Sequence, residues 1–515
     1  MTSLASTADR HEPVAWRVLV ALGAFKIAFH LLAAGPLAWG YMTDELYFLD
    51  TIDRLDWGFV DHPPLSIAVL GVVRAVAGDS ILALRVLPAL FAGAMVVLTG
   101  LMAREMGGRA SAQSLAALAM ATSPVHMSMA MYYSMNSLEE MLWILTAFLL
   151  LRILNGGDRR LWLALGLVMG AGLLNKVSMM WLATGIAVGL LLTPERRWLS
   201  TPWPWAAAAI AGLCFAPFVW WQQKNGWPFL EFSRNAAIYK VGWVSPLEFL
   251  RGQIEAANTP AAPLWIGGAL FGLMSREAQR CRVMAWAFAT VFAILAFGGS
   301  ARPHYLAPAL SIAFALGGVA VERFAQARGW VAPVMAVAMV VGGIVAAPLA
   351  MALLSPERTV AYQNAIGIRP REELQRGGLL PMHLGLFFHA EAVLKPLTEV
   401  YRGLSAEDQE RAVILTSSFG EAGAVNVLGR KRGLPASIGR HNQYWQWGPG
   451  DASGEVTIVV HDSEETLNRW FTTCERKASI DCIYCMETMQ REAVYVCREP
   501  RRPLPELWPE MKNFG

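Results

Sequence analysis

The sequence predicts a mostly α-helical protein that crosses a membrane many times and ends in a smaller α/β domain. Three observations predict this fold class. Hydrophobic residues make up 55% of the 515 residues and charged residues only 16%. The mean hydropathy of +0.38 is typical of polytopic membrane proteins. Apolar segments near the spanning length of about 20 residues recur along residues 1–354 and then stop.

The apolar segments predict about eleven transmembrane helices. The first runs from Val14 to Trp39 and is too long for a signal-peptide core, so we expect it to be retained. The other candidate spans are residues 82–103, 110–124, 137–154, 161–174, 177–193, 203–221, 263–274, 283–299, 305–320 and 331–354. Two long loops, residues 41–81 and 222–262, are expected to hold short interfacial helices.

Basic residues predict the orientation, because Lys and Arg in short loops mark the inner side of a membrane. With the N-terminus inside, every inner loop is basic, whereas the first outer loop is rich in acids. An odd number of helices then places residues 355–515 outside. The inner-loop residues are Arg104, Arg109, Arg152, Arg159, Arg160, Arg196, Arg197, Arg276, Arg280, Arg282, Arg323 and Arg328.

Residues 355–515 have the pattern of a small α/β domain, because strand-like and helix-like segments alternate. Buried strands are predicted at residues 411–417, 455–461 and 493–498. Helices are predicted at residues 421–432 and 464–474, the second capped by Ser463. Four cysteines lie here, and an oxidising compartment favours two disulfides in one of three pairings. A zinc site and free thiols are the alternatives for Cys474, Cys482, Cys485 and Cys497.

Two adjacent carboxylates, Asp44 and Glu45, follow the first span on the predicted outer side. Ionisable groups this close to a membrane are often functional. A carboxylate in a poorly hydrated site can have a raised pKa and act as a general base, while its neighbour binds a sugar hydroxyl or a metal. The alternative is a solvated acidic loop, or a short helix capped by Thr43 with both acids in its first turn.

Asp61 and His62 come about sixteen residues later and precede Pro63 and Pro64. The two prolines fix the backbone and prevent a helix from continuing, so the preceding side chains are held in an extended presentation. His62 can donate to a phosphate, or ligate a metal together with Asp61. The alternative is a rigid turn that leads into the next segment.

Cationic and polar groups recur later on the same predicted face. Arg302, His304 and Tyr305 lie between two spans, and Lys176 lies at a break between two others. Arginine binds phosphate oxygens bidentately, and such groups neutralise the charge on a phosphate leaving group. The alternative is a snorkelling arginine among interfacial aromatics. Arg85, near the outer end of the second span, is expected to anchor lipid headgroups.

Asn136 and Glu139 are weaker candidates for a sugar-contacting role. The favoured alternative is structural, because Glu139 and Glu140 at the start of a helix complement its dipole. The sequence contains no P-loop, Rossmann glycine fingerprint, helical His pair or serine nucleophile elbow, which argues against nucleotide donors and ATP coupling. A net charge of +3 is too small to indicate a nucleic-acid partner.

Several of these motifs together resemble glycosyltransferase family 39, which includes protein O-mannosyltransferases and the lipid A aminoarabinose transferase. The resemblance covers roughly residues 15–320, and residues 441–449 (HNQYWQWGP) resemble bacterial members that have an outer C-terminal domain. The motifs are Asp44-Glu45 after the first span, Asp61-His62-Pro63-Pro64-Leu65, Leu84-Arg85 and Arg302-Pro303-His304-Tyr305.

The resemblance implies the GT-C fold and an inverting transfer of a monosaccharide from a polyprenyl-phosphate donor to a glycan, lipid or protein acceptor on the outer face. It also implies a bacterial inner membrane with the C-terminal domain in the periplasm. By the pattern of the family, Asp44 would be the base or its near equivalent, with Glu45 beside it. Some relatives hold a metal near the position of Asp61, so a divalent cation is left open as a cofactor.

His62 departs from the aminoarabinose branch, which has a lysine at this position. Phosphate binding is therefore expected to rest more on Arg302, His304 and Lys176. Asn442, Tyr444 and Trp445 are candidates for contact with a glycan acceptor, with local folding contacts as the alternative.

Two other functions are considered from the sequence. A transporter or lipid flippase without chemistry would place charges near the bilayer midplane and show related halves, whereas here the charges concentrate at one face and no halves repeat. A non-catalytic membrane subunit whose tail binds partners is the second rival.

Overall fold

The computed structural model describes residues 12–326, 328–368, 377–461 and 463–515. Helices dominate the chain up to Ala350. The α-helices of this helical part, α1 to α16, are Trp16–Ala34, Thr43–Thr51, Leu65–Ala77, Ile81–Glu105, Ala110–Thr122, Pro124–Met129, Met135–Leu154, Leu161–Asn175, Met179–Leu191, Pro202–Lys224, Pro228–Asn235, Pro246–Ala256, Ala262–Met274, Arg282–Phe297, Ala307–Ala325 and Val331–Ala350.

Each of the eleven predicted spans coincides with one of these helices to within a few residues. Among the residues that the structure describes, six helical segments are long and apolar enough to cross a membrane by themselves. The other predicted spans are shorter or, like α7, carry several charges. The count of eleven transmembrane helices therefore remains a prediction. The six are Trp16–Ala34, Ile81–Glu105, Pro202–Lys224, Arg276–Phe297, Pro303–Ala325 and Val331–Ala350.

The two long loops contain short helices, as predicted. The first loop holds α2 and α3, and α3 begins at Leu65, directly after the two prolines. The second loop holds α11, a π-helical turn at Ala236–Val241, and α12. These helices place polar side chains beside the ends of the long apolar ones.

The C-terminal part, from Pro356 onward, combines short helices with one sheet. Its α-helices, α17 to α25, are Pro356–Ala365, Met382–Gly385, His389–Arg402, Ala406–Arg411, Phe419–Ala424, Asn442–Trp447, Glu464–Trp470, Glu487–Gln490 and Leu504–Leu507. The strands β1 to β5 are Ala412–Thr416, Ser437–Gly439, Val456–His461, Phe471–Ser479 and Ala493–Pro500. Their order is β2-β1-β3-β5-β4. β1 is parallel to β2 and β3, and β5 is antiparallel to β3 and β4.

The three predicted strands correspond to β1, β3 and β5, and the predicted cap of α23 by Ser463 is present. β2 and β4 were not predicted. The helix predicted for residues 464–474 ends at Trp470, because β4 begins at Phe471 and pairs with β5. Two disulfides form, Cys474–Cys497 and Cys482–Cys485, which selects one of the three pairings.

The C-terminal part packs directly on α2, the helix that carries Asp44. Gly423 of α21 lies so close that a Cβ there would come within 2.7 Å of the Tyr47 backbone nitrogen. Asp50 of α2 accepts hydrogen bonds at Oδ2 from Asn426 Nδ2 (2.8 Å) and from the Tyr444 hydroxyl (2.5 Å). The helix is therefore fixed between the two parts of the molecule.

Candidate active site

A large cavity of about 2070 Å³ lies between the helical part and the C-terminal part. It brings together predicted site residues from segments that are far apart in the sequence. Asp44 of the first loop and Arg302, before α15, both face it. The predicted residues that line the cavity are Asp44, Asp61, His62, Asn136, Lys176, Arg302, His304 and Tyr305.

Asp44 lies in the first turn of α2 and is half-buried in the cavity wall. Burial raises the pKa of its carboxyl to about 6. Lys240 and Arg302 oppose this pKa rise, whereas the negative charges of Asp61 and Glu45 add to it. A carboxyl that titrates near neutrality and opens to a cavity is suited to accept a proton from a bound hydroxyl.

Glu45 does not line the cavity, and the expectation that it acts beside Asp44 is corrected. Its side chain is fully buried and binds Arg85 through two hydrogen bonds of 2.7 and 2.8 Å. It also accepts hydrogen bonds from the backbone N–H groups of Met42 (2.8 Å) and Tyr133 (2.9 Å). The expectation for Arg85 is also wrong, because a side chain that is only 2% exposed cannot anchor headgroups.

Asp61 is held by two side chains and still faces the cavity. Its Oδ1 accepts a hydrogen bond from the Tyr47 hydroxyl at 2.9 Å, and its Oδ2 accepts one from Asn442 Nδ2 at 3.3 Å. His62 is 1% exposed, and its Nδ1 donates to the Pro63 carbonyl at 2.9 Å. Its Nε2 lies 3.9 Å from Asp61 Oδ1. The ring is enclosed by the aromatic rings of Tyr47, Phe48 and Phe59, so little of it is exposed to the cavity. The predicted phosphate contact of His62 stays a prediction.

Lys176 reaches the cavity at the end of α8, but its charge is shared with an acid. Its Nζ donates to Glu139 Oε2 at 2.7 Å and to Asn136 Oδ1 at 2.8 Å, and it lies 5.7 Å from the Tyr305 ring centroid. Glu139 is buried, also accepts a hydrogen bond from Ser178, and does not line the cavity. The expected sugar contact of Glu139 is therefore replaced by a structural ion pair.

The Arg302 to Tyr305 motif forms a short turn before α15. Residues Pro303–Leu306 are a 3₁₀ helix, and the Pro303 carbonyl accepts a hydrogen bond from Gln253 Nε2 at 3.1 Å. The ring centroids of His304 and Tyr305 are 4.7 Å apart. Arg302, His304 and Tyr305 all line the cavity, so this turn presents one cation and two further polar groups to the space that Asp44 faces.

Several cavity residues were not predicted. Lys240 comes from the π-helical turn of the second loop, and Arg440, His441 and His461 come from the C-terminal part. Arg440 Nη1 lies 2.7 Å from His461 Nε2. The only sequence signal for these residues was the HNQYW segment, which begins at His441.

That segment divides between the cavity and local contacts. Asn442 lines the cavity and donates to Asp61. Tyr444 donates to Asp50, and Trp445 Nε1 donates to the Trp508 carbonyl at 2.8 Å. Neither Tyr444 nor Trp445 lines the cavity. Their contacts are therefore the local folding contacts that were the alternative to contact with a glycan acceptor.

The surroundings of Asp61 do not fit a metal ion. Across the described ranges, three His, Cys, Asp or Glu ligand atoms come within 4.8 Å of one another only at His389, Glu421 and Glu492. Asp61 and His62 are not part of that group. We therefore assign no metal to Asp61.

Comparison with known proteins gives a partial family match and a whole-chain fold match. Residues 61–221 match the sequence family described as dolichyl-phosphate-mannose-protein mannosyltransferase. No curated protein sequence matches the chain at a significant level.

The fold is similar to that of the ArnT protein from Cupriavidus metallidurans, solved with undecaprenyl phosphate. The identity is 14% and the TM-score 0.60, over 93% of this chain and 98% of that one. The apo form of the same protein gives 15% identity and a TM-score of 0.59, over 93% and 97% of the two chains. The oligosaccharyltransferase AglB from Archaeoglobus fulgidus, solved with an inhibitory peptide and a dolichol-phosphate, gives 11% and 0.50, over 87% and 69%.

These matches confirm the resemblance that the sequence motifs indicated. The chain has the GT-C fold of membrane glycosyltransferases, and its residues 61–221 match the protein mannosyltransferase family.

Proposed function

We propose that the chain is an inverting glycosyltransferase that moves a monosaccharide from a polyprenyl-phosphate donor to an acceptor on the outer face of the membrane. The observation that carries this proposal is the shared cavity, in which the Asp44 carboxyl and the Arg302 turn both face one space. The GT-C fold and the partial family match support it. The ArnT and AglB structures contain undecaprenyl phosphate and a dolichol-phosphate, both lipid phosphates.

Asp44 accepts the proton of the acceptor hydroxyl while that oxygen forms a bond to the anomeric carbon. The bond between the anomeric carbon and the phosphate oxygen breaks, and its electron pair stays on the polyprenyl phosphate. Arg302 and His304 stabilise the charge that builds on this leaving group. Asp61, which is held by Tyr47 and Asn442, positions the sugar. A single displacement of this kind inverts the configuration at the anomeric carbon.

The cavity also offers an apolar side for the prenyl chain. Phe229 and Phe232 of α11 line it, together with Val341 and Val345 of α16. A long hydrocarbon chain gains free energy by leaving water for such a surface, at about 25 cal/mol per Å² buried. The donor therefore binds with its phosphate at the Arg302 turn and its chain along α11 and α16.

We further propose that the protein resides in a bacterial inner membrane, with residues 355–515 as a periplasmic domain. The two disulfides of the C-terminal part support this location, because disulfides persist in oxidising compartments. The acceptor, a glycan, lipid or protein, then meets the donor at the periplasmic face.

The rate of transfer is expected to rise with pH through about pH 6. Asp44 acts as a base only when deprotonated, and burial raises its pKa to about 6. Below that value kcat/KM should fall by about tenfold per pH unit, and above it the rate should level off. The measurement is a pH–rate profile of the purified protein. A rate that stays constant from about pH 5 to 7 would contradict the assignment of Asp44.

Reconstitution tests the function directly. Purified protein in proteoliposomes, given a radiolabelled polyprenyl-phosphate sugar and an envelope extract as acceptor, is expected to transfer the label and release polyprenyl phosphate. A flippase would move the donor across the bilayer without label transfer, and a non-catalytic subunit would do neither. Either result would overturn the proposal. Deletion of the chain in cells should cause one polyprenyl-phosphate sugar to accumulate, and its mass identifies the sugar.

A further inference from the structure

Three potential metal ligands converge in the C-terminal part, outside the predicted active-site residues. His389 is the first residue of α19, Glu421 lies in α21, and Glu492 directly precedes β5. His389 Nε2 is 3.0 Å from Glu492 Oε2, and one ligand atom from each residue lies within 4.8 Å of the others. His389 and Glu421 are buried, and Glu492 lines the large cavity.

The chemistry of this set fits a borderline divalent cation such as Zn²⁺. One imidazole and two carboxylates are common zinc ligands, whereas Mg²⁺ and Ca²⁺ prefer oxygen alone. Ligand atoms bound to one tetrahedral zinc at about 2.0–2.2 Å lie roughly 3.4 Å from one another. Binding one ion would therefore shorten the widest of the present separations, which reach up to 4.8 Å, by up to about 1.4 Å and would slightly open the 3.0 Å pair of His389 and Glu492.

The neighbouring backbone already orients one of the carboxylates. Glu421 Oε2 accepts a hydrogen bond from the Ser417 N–H at 2.9 Å, and its Oε1 accepts one from the Ser418 hydroxyl at 2.6 Å. Outer contacts of this kind fix the direction of metal ligands and raise affinity. Each carboxylate oxygen has more than one lone pair, so the hydrogen bonds leave room for a metal bond.

A proton shared between the carboxylates of Glu421 and Glu492 is the alternative to a metal ion at this site. Burial raises the pKa of the Glu421 carboxyl to about 8, the charge of Glu492 adds to this rise, and His389 opposes it. The negative charge of the two carboxylates can be balanced either by a proton or by a bound cation. Metal analysis separates these two alternatives.

We propose that His389, Glu421 and Glu492 bind one zinc-type divalent cation, with a remaining coordination position open toward the large cavity. The cation joins α19, α21 and the segment before β5. Because α21 packs against α2 through Gly423 and Gly420, it also stiffens the support of the helix that carries Asp44. This role is one of positioning, and the existence of the metal site does not depend on the proposed transferase activity.

The test uses the full-length, tag-free protein in detergent, stripped with a chelator and then incubated with ZnCl₂. Elemental analysis is expected to find about one zinc per chain. Cobalt in place of zinc should give the visible absorption of a tetrahedral nitrogen and oxygen site. Absence of both signals in the unmodified protein would overturn the proposal, whatever the transferase assay shows.

Substitutions locate the site. Glu421→Gln and His389→Ala should abolish stoichiometric zinc, and Ser418→Ala should weaken zinc affinity by roughly 10- to 100-fold through the lost orienting bond. Glu391→Gln is the matched control, because Glu391 lies on α19 and pairs with Arg432 at the surface. Zinc retained in both Glu421→Gln and His389→Ala would place the metal elsewhere and refute the assignment.

Discussion

Replacement of Asp44 by asparagine is expected to lower kcat by about 10²–10⁴-fold, with the affinity for the lipid-linked donor retained. Asparagine has nearly the same shape as aspartate but cannot accept the proton of the acceptor hydroxyl. The donor contacts proposed above, at the Arg302 turn and along the apolar wall, are left in place by this change. Single-turnover transfer and binding of a labelled donor measure the two quantities separately.

The matched control for Asp44→Asn is Asp53→Asn. Asp53 lies in the same outer loop but is exposed, pairs with Arg74 at 3.0 Å and does not line the cavity. Its replacement should leave kcat unchanged. The loss of activity at pH below about 6 should also disappear from the residual rate of Asp44→Asn, because the titrating base is gone. Turnover of Asp44→Asn at the unmodified rate would remove Asp44 as the base.

The membrane helices were predictable because hydropathy and length are local properties. Each predicted span has a helix, and no helix continues through Pro63 and Pro64, which directly precede α3. The strand β4 was missed because its side chains are mostly exposed and polar, so the segment lacks an apolar pattern. What defines it is pairing with β5 and the Cys474–Cys497 disulfide, both of which are non-local.

The candidate site was predictable only in part. Asp44 and Glu45 are neighbours in sequence, but successive residues on a helix point about 100° apart, so only one of them faces the cavity. Which one faces it depends on Arg85, forty residues later, which binds Glu45 in the interior. Lys240 and Arg440 reach the cavity through loops whose positions no local pattern encodes.

The buried pair of Glu45 and Arg85 leads to the second large expected effect. Arg85→Met should destabilise the protein by about 3–5 kcal/mol, because it leaves a fully buried carboxylate without its cation. Glu45 also holds the backbone at Met42 and Tyr133, so the position of α2 should loosen as well. Thermal unfolding in detergent measures the loss of stability. Arg74→Met is the control, because its exposed pair with Asp53 contributes only about 0–1 kcal/mol.

A double-mutant cycle separates the ion pair from its surroundings. If the two charges stabilise mainly each other, the double variant Glu45→Leu/Arg85→Met should lose less stability than the sum of the two single variants. In the double variant no buried charge is left without its partner. The double variant should still lose part of its transfer activity. It lacks the hydrogen bonds that Glu45 accepts from the Met42 and Tyr133 N–H groups, and Asp44 directly precedes Glu45 on the same helical turn. Additive single effects would mean that Glu45 stabilises α2 through its backbone contacts rather than through Arg85.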